Sequence, residues 1–222
     1  MAEFDNDEMS RLKRWWEGNG SALVIGVIVG LAVIIGWQGW NWYQNRQAAQ
    51  AADIYQQVEQ GMAGDSVDDN VLATVDRLKN DYSGTPYAAD AALRLAGYYV
   101  EQQDYDKARE QLVWVSDNAA NEGVGHIARV RAARLLWTQD KPDEALSLLD
   151  TDHPPAFDAL YAETRGDILA ARGDREGAYK AYQVALESLP PDIASRALET
   201  KIADNAPADA ADAPTDSNSA SS

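Results

Sequence analysis

No cysteine occurs anywhere in the 222 residues, which excludes disulfide cross-links, Cys-ligated zinc, thiol nucleophiles and Cys-held iron–sulfur clusters. Basic side chains are also scarce. The chain has 19 Lys plus Arg against 36 Asp plus Glu, for a formal net charge of −17. Nucleic-acid binding depends on cations that neutralise phosphates, so neither DNA nor RNA is expected as a partner. The two histidines, His126 and His153, lie far apart in the sequence and not at helical metal-ligand spacing from each other. Both are expected to be solvated, with no metal bound. Asp65, Asp68 and Asp69 share a polar loop, but the glycine and terminal glutamate of a calcium loop are missing. Gly-rich phosphate loops, HExxH and GxSxG are absent from the sequence as well. No cofactor and no enzyme activity are therefore expected.

What stands out instead is one apolar run. Ala22 to Gly36 reads ALVIGVIVGLAVIIG and continues through Trp37, Gly39, Trp40, Trp42 and Tyr43. A bilayer core of about 30 Å needs about 20 helical residues, and Ala22 to Trp42 supplies them. Only a helix satisfies its own backbone in lipid. Trp37, Trp40, Trp42 and Tyr43 form an aromatic belt at one end, with Trp15 and Trp16 near the other. A cleavable signal would open on a basic segment and end on small residues. Here Glu3, Asp5, Asp7 and Glu8 come first and a tryptophan cluster occupies the cleavage position, so an uncleaved anchor over 21–43 is expected. Arg11, Lys13 and Arg14 precede the span, whereas only Arg46 follows it before Arg77. The positive-inside rule then keeps residues 1–20 in the cytoplasm and sends the remainder across a bacterial inner membrane to the periplasm. On one face of the span, Ala22, Gly26 and Gly30 recur every four residues. They are candidates for close packing against another membrane helix.

Residues 44–222 carry 16 basic and 31 acidic side chains and form a solvated acidic region. Within it β-branched residues do not alternate with polar ones, and no Asn-Gly or Asp-Gly hairpin turn occurs. Alanine-rich amphipathic stretches predict helices over 48–60, 67–80, 86–102, 104–118, 124–139, 142–150, 156–172, 174–188 and 191–203. Asp104, Asp140 and Asp174 are positioned to cap the second helix of three hairpins, and Pro142 suits a first helical turn. Ala108, Ala145 and Ala178 recur at intervals of 37 and 33 residues, a period that belongs to helical-hairpin repeats.

The last repeat matches the tetratricopeptide family best. Gly166 and Ala178 let paired helices approach, Tyr182 fills the gap to the next hairpin, Ala185 follows, and Pro190 ends the repeat. Leu95, Ala96, Tyr99, Ala108 and Leu112 match in the first hairpin, whereas Ala133, Leu136, Ala145 and Leu149 form a degenerate middle one. The expected fold is all-α, a single N-terminal transmembrane helix followed by a tetratricopeptide-like α-solenoid over 44–204. First helices of such hairpins line a groove, which makes Gly97, Val100, Arg134, Trp137, Asp167 and Ala170 candidates for partner binding. Core packing is the competing role for Trp137. Residues 205–222 carry acids but neither aromatics nor bases, and a disordered acidic tail is expected there.

Leu12-Lys13-Arg14-Trp15-Trp16, Asn19-Gly20, Gly36-Trp37 and Trp40, in this order of parts, resemble the YfgM family, the ancillary SecYEG translocon subunits of Gram-negative bacteria. The resemblance runs from about Asn6 to Asn205. It implies association with the SecYEG translocon and with the membrane-anchored chaperone PpiD. It also implies that nascent exported polypeptides are passed to periplasmic chaperones. The family's usual ending lacks this acidic tail. A periplasmic scaffold for envelope or cell-wall assembly, unrelated to export, is the alternative that the helical repeat alone leaves open.

Overall fold

A computed structural model describes residues 3–64, 66–190 and 195–207, so Asp65 and the expected tail from 208 onward lie outside the described residues. The chain divides into two units between Gln50 and Ala51.

Helix α1 runs from Glu3 to Gly61, and its residues up to Gln50 make up the first unit. The anchor and the helix expected at 48–60 are one secondary-structure element. Between Tyr43 and Asp53 the sequence offers Gln, Ala, Arg and Asn but neither glycine nor proline, so nothing there breaks a helix. Val24, Ile25, Val27, Ile28, Leu31 and Ile34 are all exposed. A soluble helix buries such side chains at about 25 cal/mol per Å² of apolar surface, so this one needs lipid to do it. Among the described residues, this is the one helix long and apolar enough to cross a membrane.

The second unit contains the end of α1 followed by α2 (Asp69–Asp81), α3 (Pro86–Glu101), α4 (Tyr105–Asn118), α5 (Glu122–Thr138) and α6 (Pro142–Leu148). A short 3-10 turn at Pro155–Phe157 then leads into α7 (Asp158–Ala171), α8 (Arg175–Glu187) and α9 (Arg196–Asn205). Among the described residues there is no strand. Each apolar cluster draws on consecutive helices. Ala51, Ile54 and Val58 of α1 join Val75 and Leu78 of α2 and Leu95 of α3. Ala92 and Ala96 meet Leu112 and Val115 of α4 and Ala128 of α5. Val130, Ala133 and Leu136 pack with Ala145, Leu149 and Ile168. Ala178, Tyr182 and Ala185 close on Leu198 of α9. A core passed on from hairpin to hairpin is the construction of a solenoid.

The hairpin turns are copies of one another. Gln103, Asp140 and Gly173 each adopt positive φ, at 60°, 60° and 81°, and glycine alone does so without steric cost. After each, a backbone N–H reaches back five residues: Asp104 to Tyr99 at 2.9 Å, Lys141 to Leu136 at 2.9 Å and Asp174 to Leu169 at 3.0 Å. This satisfies a carbonyl that the helix end would leave unpaired. The Asp104 and Asp174 carboxylates accept from the Lys107 and Gly177 amides and cap α4 and α8.

Asp140 does not cap α6, contrary to the expectation above. It takes the left-handed position, Lys141 stands at the cap, and no side chain accepts there. Counting explains this. Asp104 and Asp174 lie four residues before their buried alanines, whereas Asp140 lies five before Ala145. Lys141→Asn should therefore stabilise the protein by about 1 kcal/mol, because Asn is among the best cap residues. A thermal midpoint unchanged by the substitution would contradict that assignment.

Candidate functional site

The candidate groove residues fall into separate surroundings. Gly97 and Val100 of α3 and Arg134 of α5 border one cleft of about 250 Å³, together with Leu112, Arg131 and Leu135. Gly97, Val100, Arg131 and Arg134 are all exposed. Helix α3 offers the small and aliphatic side of the cleft, α5 the two guanidinium groups, and Leu112 of α4 part of its apolar lining. The cleft is smaller than the roughly 300–1,000 Å³ of ordinary cofactor sites, and it has room for a large side chain of a partner.

Trp137 is partly buried against the cluster of α5, α6 and α7, and Ala170 packs on that of α8 and α9. Asp167 belongs to a polar network over that last cluster. Its Oδ1 accepts from the Tyr182 hydroxyl at 2.9 Å and from Lys201 Nζ at 2.7 Å. Lys201 also donates to Glu163 at 2.8 Å and stands 5.5 Å over the Tyr182 ring. Burial, followed by the bond to Asp167, raises the Tyr182 phenol well above its ordinary range, so it stays protonated as the donor. Burial works against the Lys201 ammonium, but its two carboxylate partners outweigh it and the pKa rises.

A second cleft of about 280 Å³ lies between α7 and α8, with Leu149, His153, Tyr161, Arg165 and Val184 among its walls. Here the histidines depart from the expectation that each is isolated and solvated. His126 and His153 are both partly buried, and their rings lie 6.4 Å apart. His126 Nδ1 stands 2.9 Å from the Tyr161 hydroxyl. His153 stacks on the Tyr161 ring at 4.0 Å, while its Nε2 lies 3.5 Å from Asp158. The residues come from α5, α7 and the intervening loop, so local spacing gave no signal of the cluster. Among the described residues, no group of three or more His, Asp or Glu is placed to hold a metal ion.

Burial lowers the His126 pKa, aided by Arg129 and His153, with Glu122 opposing. The unfolded chain therefore binds this proton first as pH falls. The associated stability is complete above the ordinary imidazole pKa of about 6.5 and is lost as pH falls from there through the folded value. On acidification from neutral to about pH 5.5, the melting temperature should fall more for the natural protein than for His126→Phe. Parallel falls would contradict the assignment.

In the anchor, nothing beyond the adjoining residues and the helix's own backbone lies within 4 Å of where a Cβ would stand on Gly26 or Gly30. Ala22 lies in the same helix, and its side chain falls outside the described residues.

A family model described as a tetratricopeptide repeat-like domain matches residues 13–206. The chain is 30% identical over 200 residues to the ancillary SecYEG translocon subunit of Escherichia coli K12, covering 90% of this chain and 96% of that one. Its identity to the protein of the same name from Neisseria gonorrhoeae is 31% over 197 residues, with 87% and 93% covered. The Haemophilus influenzae protein of that name is 28% identical over 184 residues, with 83% and 89% covered. On this near full-length similarity, the chain belongs to the family of ancillary SecYEG translocon subunits with a tetratricopeptide repeat-like domain.

Proposed function

We propose that the protein is a membrane-anchored ancillary subunit of the SecYEG translocon whose helical-repeat domain holds partner polypeptides. The observation that carries this reading is similarity over almost the whole length to relatives named for that role, with a family-model match over residues 13–206 that takes in the anchor. The N-terminus lies in the cytoplasm and the domain in the periplasm, a topology supported by Arg11, Lys13 and Arg14 on one side of the span against Arg46 on the other. Exported polypeptides and the chaperone PpiD are the partners implied by the family resemblance. Tethering raises the effective concentration of the domain beside the channel, so individually weak contacts suffice. The cleft bordered by Val100 and Arg134 is a surface of the right kind, with apolar lining for affinity and charge at its rim for selectivity.

Photoreactive residues placed at Val100 or Arg134 in the full-length, membrane-inserted protein should form adducts with exported chains, translocon subunits or PpiD. Absence of all three adducts, with the protein folded and inserted, would contradict the proposal.

A further inference from the structure

The cleft between α3 and α5 carries two arginines, Arg131 and Arg134, that have no carboxylate within 4.0 Å among the described residues. Arg77, Arg94, Arg109, Arg129, Arg165 and Arg172 each have a carboxylate within 4.0 Å. Arg131 has no hydrogen-bond or ion-pair partner among the described residues. Among the described residues Arg134 donates only to the Thr164 hydroxyl, at 3.1 Å, which leaves most of its donor fork available. Arg46, Arg175 and Arg196 also lack a carboxylate within 4.0 Å among the described residues, but Arg131 and Arg134 stand together at one cleft. Their spacing of three places both on one helix face, and neighbouring like charges there destabilise a helix. Both border an apolar cleft alongside Val100, which is 38% exposed.

From this geometry we infer that the cleft takes a polypeptide segment bearing an Asp or Glu side chain next to a large apolar one. The apolar side chain enters between Val100 and Leu135, and the carboxylate is held by Arg131 and Arg134. A guanidinium fork matches a carboxylate in a bidentate manner, and such charge-assisted pairs are the stronger hydrogen bonds. An unmodified acidic domain would repel acidic segments in general, so these two arginines would make the cleft selective for carboxylates set beside apolar anchors. This inference deepens the proposed polypeptide-binding role and rests on it.

The test uses the full-length protein in lipid nanodiscs and a short fluorescein-labelled peptide with an amidated C-terminus, in which aspartates flank leucine and phenylalanine. Fluorescence anisotropy should show saturable binding that weakens at high salt. Replacing the peptide's aspartates with asparagine should weaken binding by at least about tenfold. Arg131→Gln should have a similar effect, and Arg131→Gln with Arg134→Gln a larger one. Arg131→Gln breaks no hydrogen bond or ion pair among the described residues, so it decides the matter even if Arg134→Gln, which loses Thr164, unfolds the domain. Equal affinity for the asparagine peptide, or no effect of Arg131→Gln, would overturn the inference. Translocon association is measured separately and would stand if this failed.

Discussion

Replacing Leu31 and Ile34 together with arginine should move the protein out of the membrane fraction. Both residues sit near the middle of the apolar run and are exposed, at 53% and 56%, so no side chain of this protein would shield either arginine from hydrocarbon. On insertion scales an arginine at a helix centre costs about 2.5–3.5 kcal/mol, whereas leucine and isoleucine are favourable. Two such changes outweigh the gain from the remaining apolar residues. Alkaline extraction of membranes followed by quantitative blotting reads the outcome, and retention equal to the natural protein would contradict the anchor. Helix packing is a separate matter. Gly26→Leu leaves the span apolar, so it should keep the protein inserted while disrupting any close helix pairing at that face.

Truncating Tyr182 should produce the largest loss of stability in the helical-repeat domain. The ring is 2% exposed, packs with Ala178, Ala185 and Leu198, and lies under Lys201. Replacing a buried aromatic residue with alanine costs about 3–5 kcal/mol, a large share of the roughly 5–15 kcal/mol that holds a domain together. The melting temperature should fall on the order of 10 °C. Tyr182→Phe removes only the bond to Asp167 and should cost about 1 kcal/mol. Gly166 tests the same contact from the opposite helix. A Cβ there would stand 2.5 Å from Tyr182 Cε1, and the ring, anchored through its hydroxyl, has little room to retreat. Gly166→Ala should therefore cost about 1–3 kcal/mol by overpacking. The two positions are in contact, so their effects should be strongly non-additive, with Gly166→Ala costing much less in a Tyr182→Ala background. Additive losses would show that the two residues act independently.

These contacts also show what a single sequence discloses. The repeat was legible because helix pairing demands small residues at a fixed offset. Ala96, Ala133 and Gly166 each precede Ala108, Ala145 and Ala178 by twelve residues, and all six are buried. Tyr182 was legible as a bridge to the following hairpin because its partner helix needs a large side chain opposite a glycine. Its bond to Asp167 and its cation–π contact with Lys201 are not, since they join side chains 15 and 19 residues apart on three helices. Asp140 has the residue type of a cap but stands one position too early to be one. The offset from the buried alanine would have placed Lys141 at the cap. The histidine cluster assembles from α5, α7 and the loop before it, and no periodicity connects such elements. Nothing in the sequence singles out Arg131, because the absence of a carboxylate partner is visible only once the neighbouring helices are in place.

Co-purification from gently solubilised membranes tests the central claim most directly. The full-length protein, affinity-tagged and expressed at its natural level, should bring SecY, SecE and SecG with it well above an untagged control. The Leu31→Arg, Ile34→Arg variant should recover none of them. Recovery of cell-wall enzymes in their place, or of no translocon subunit while the protein remains folded and membrane-inserted, would contradict a translocon role.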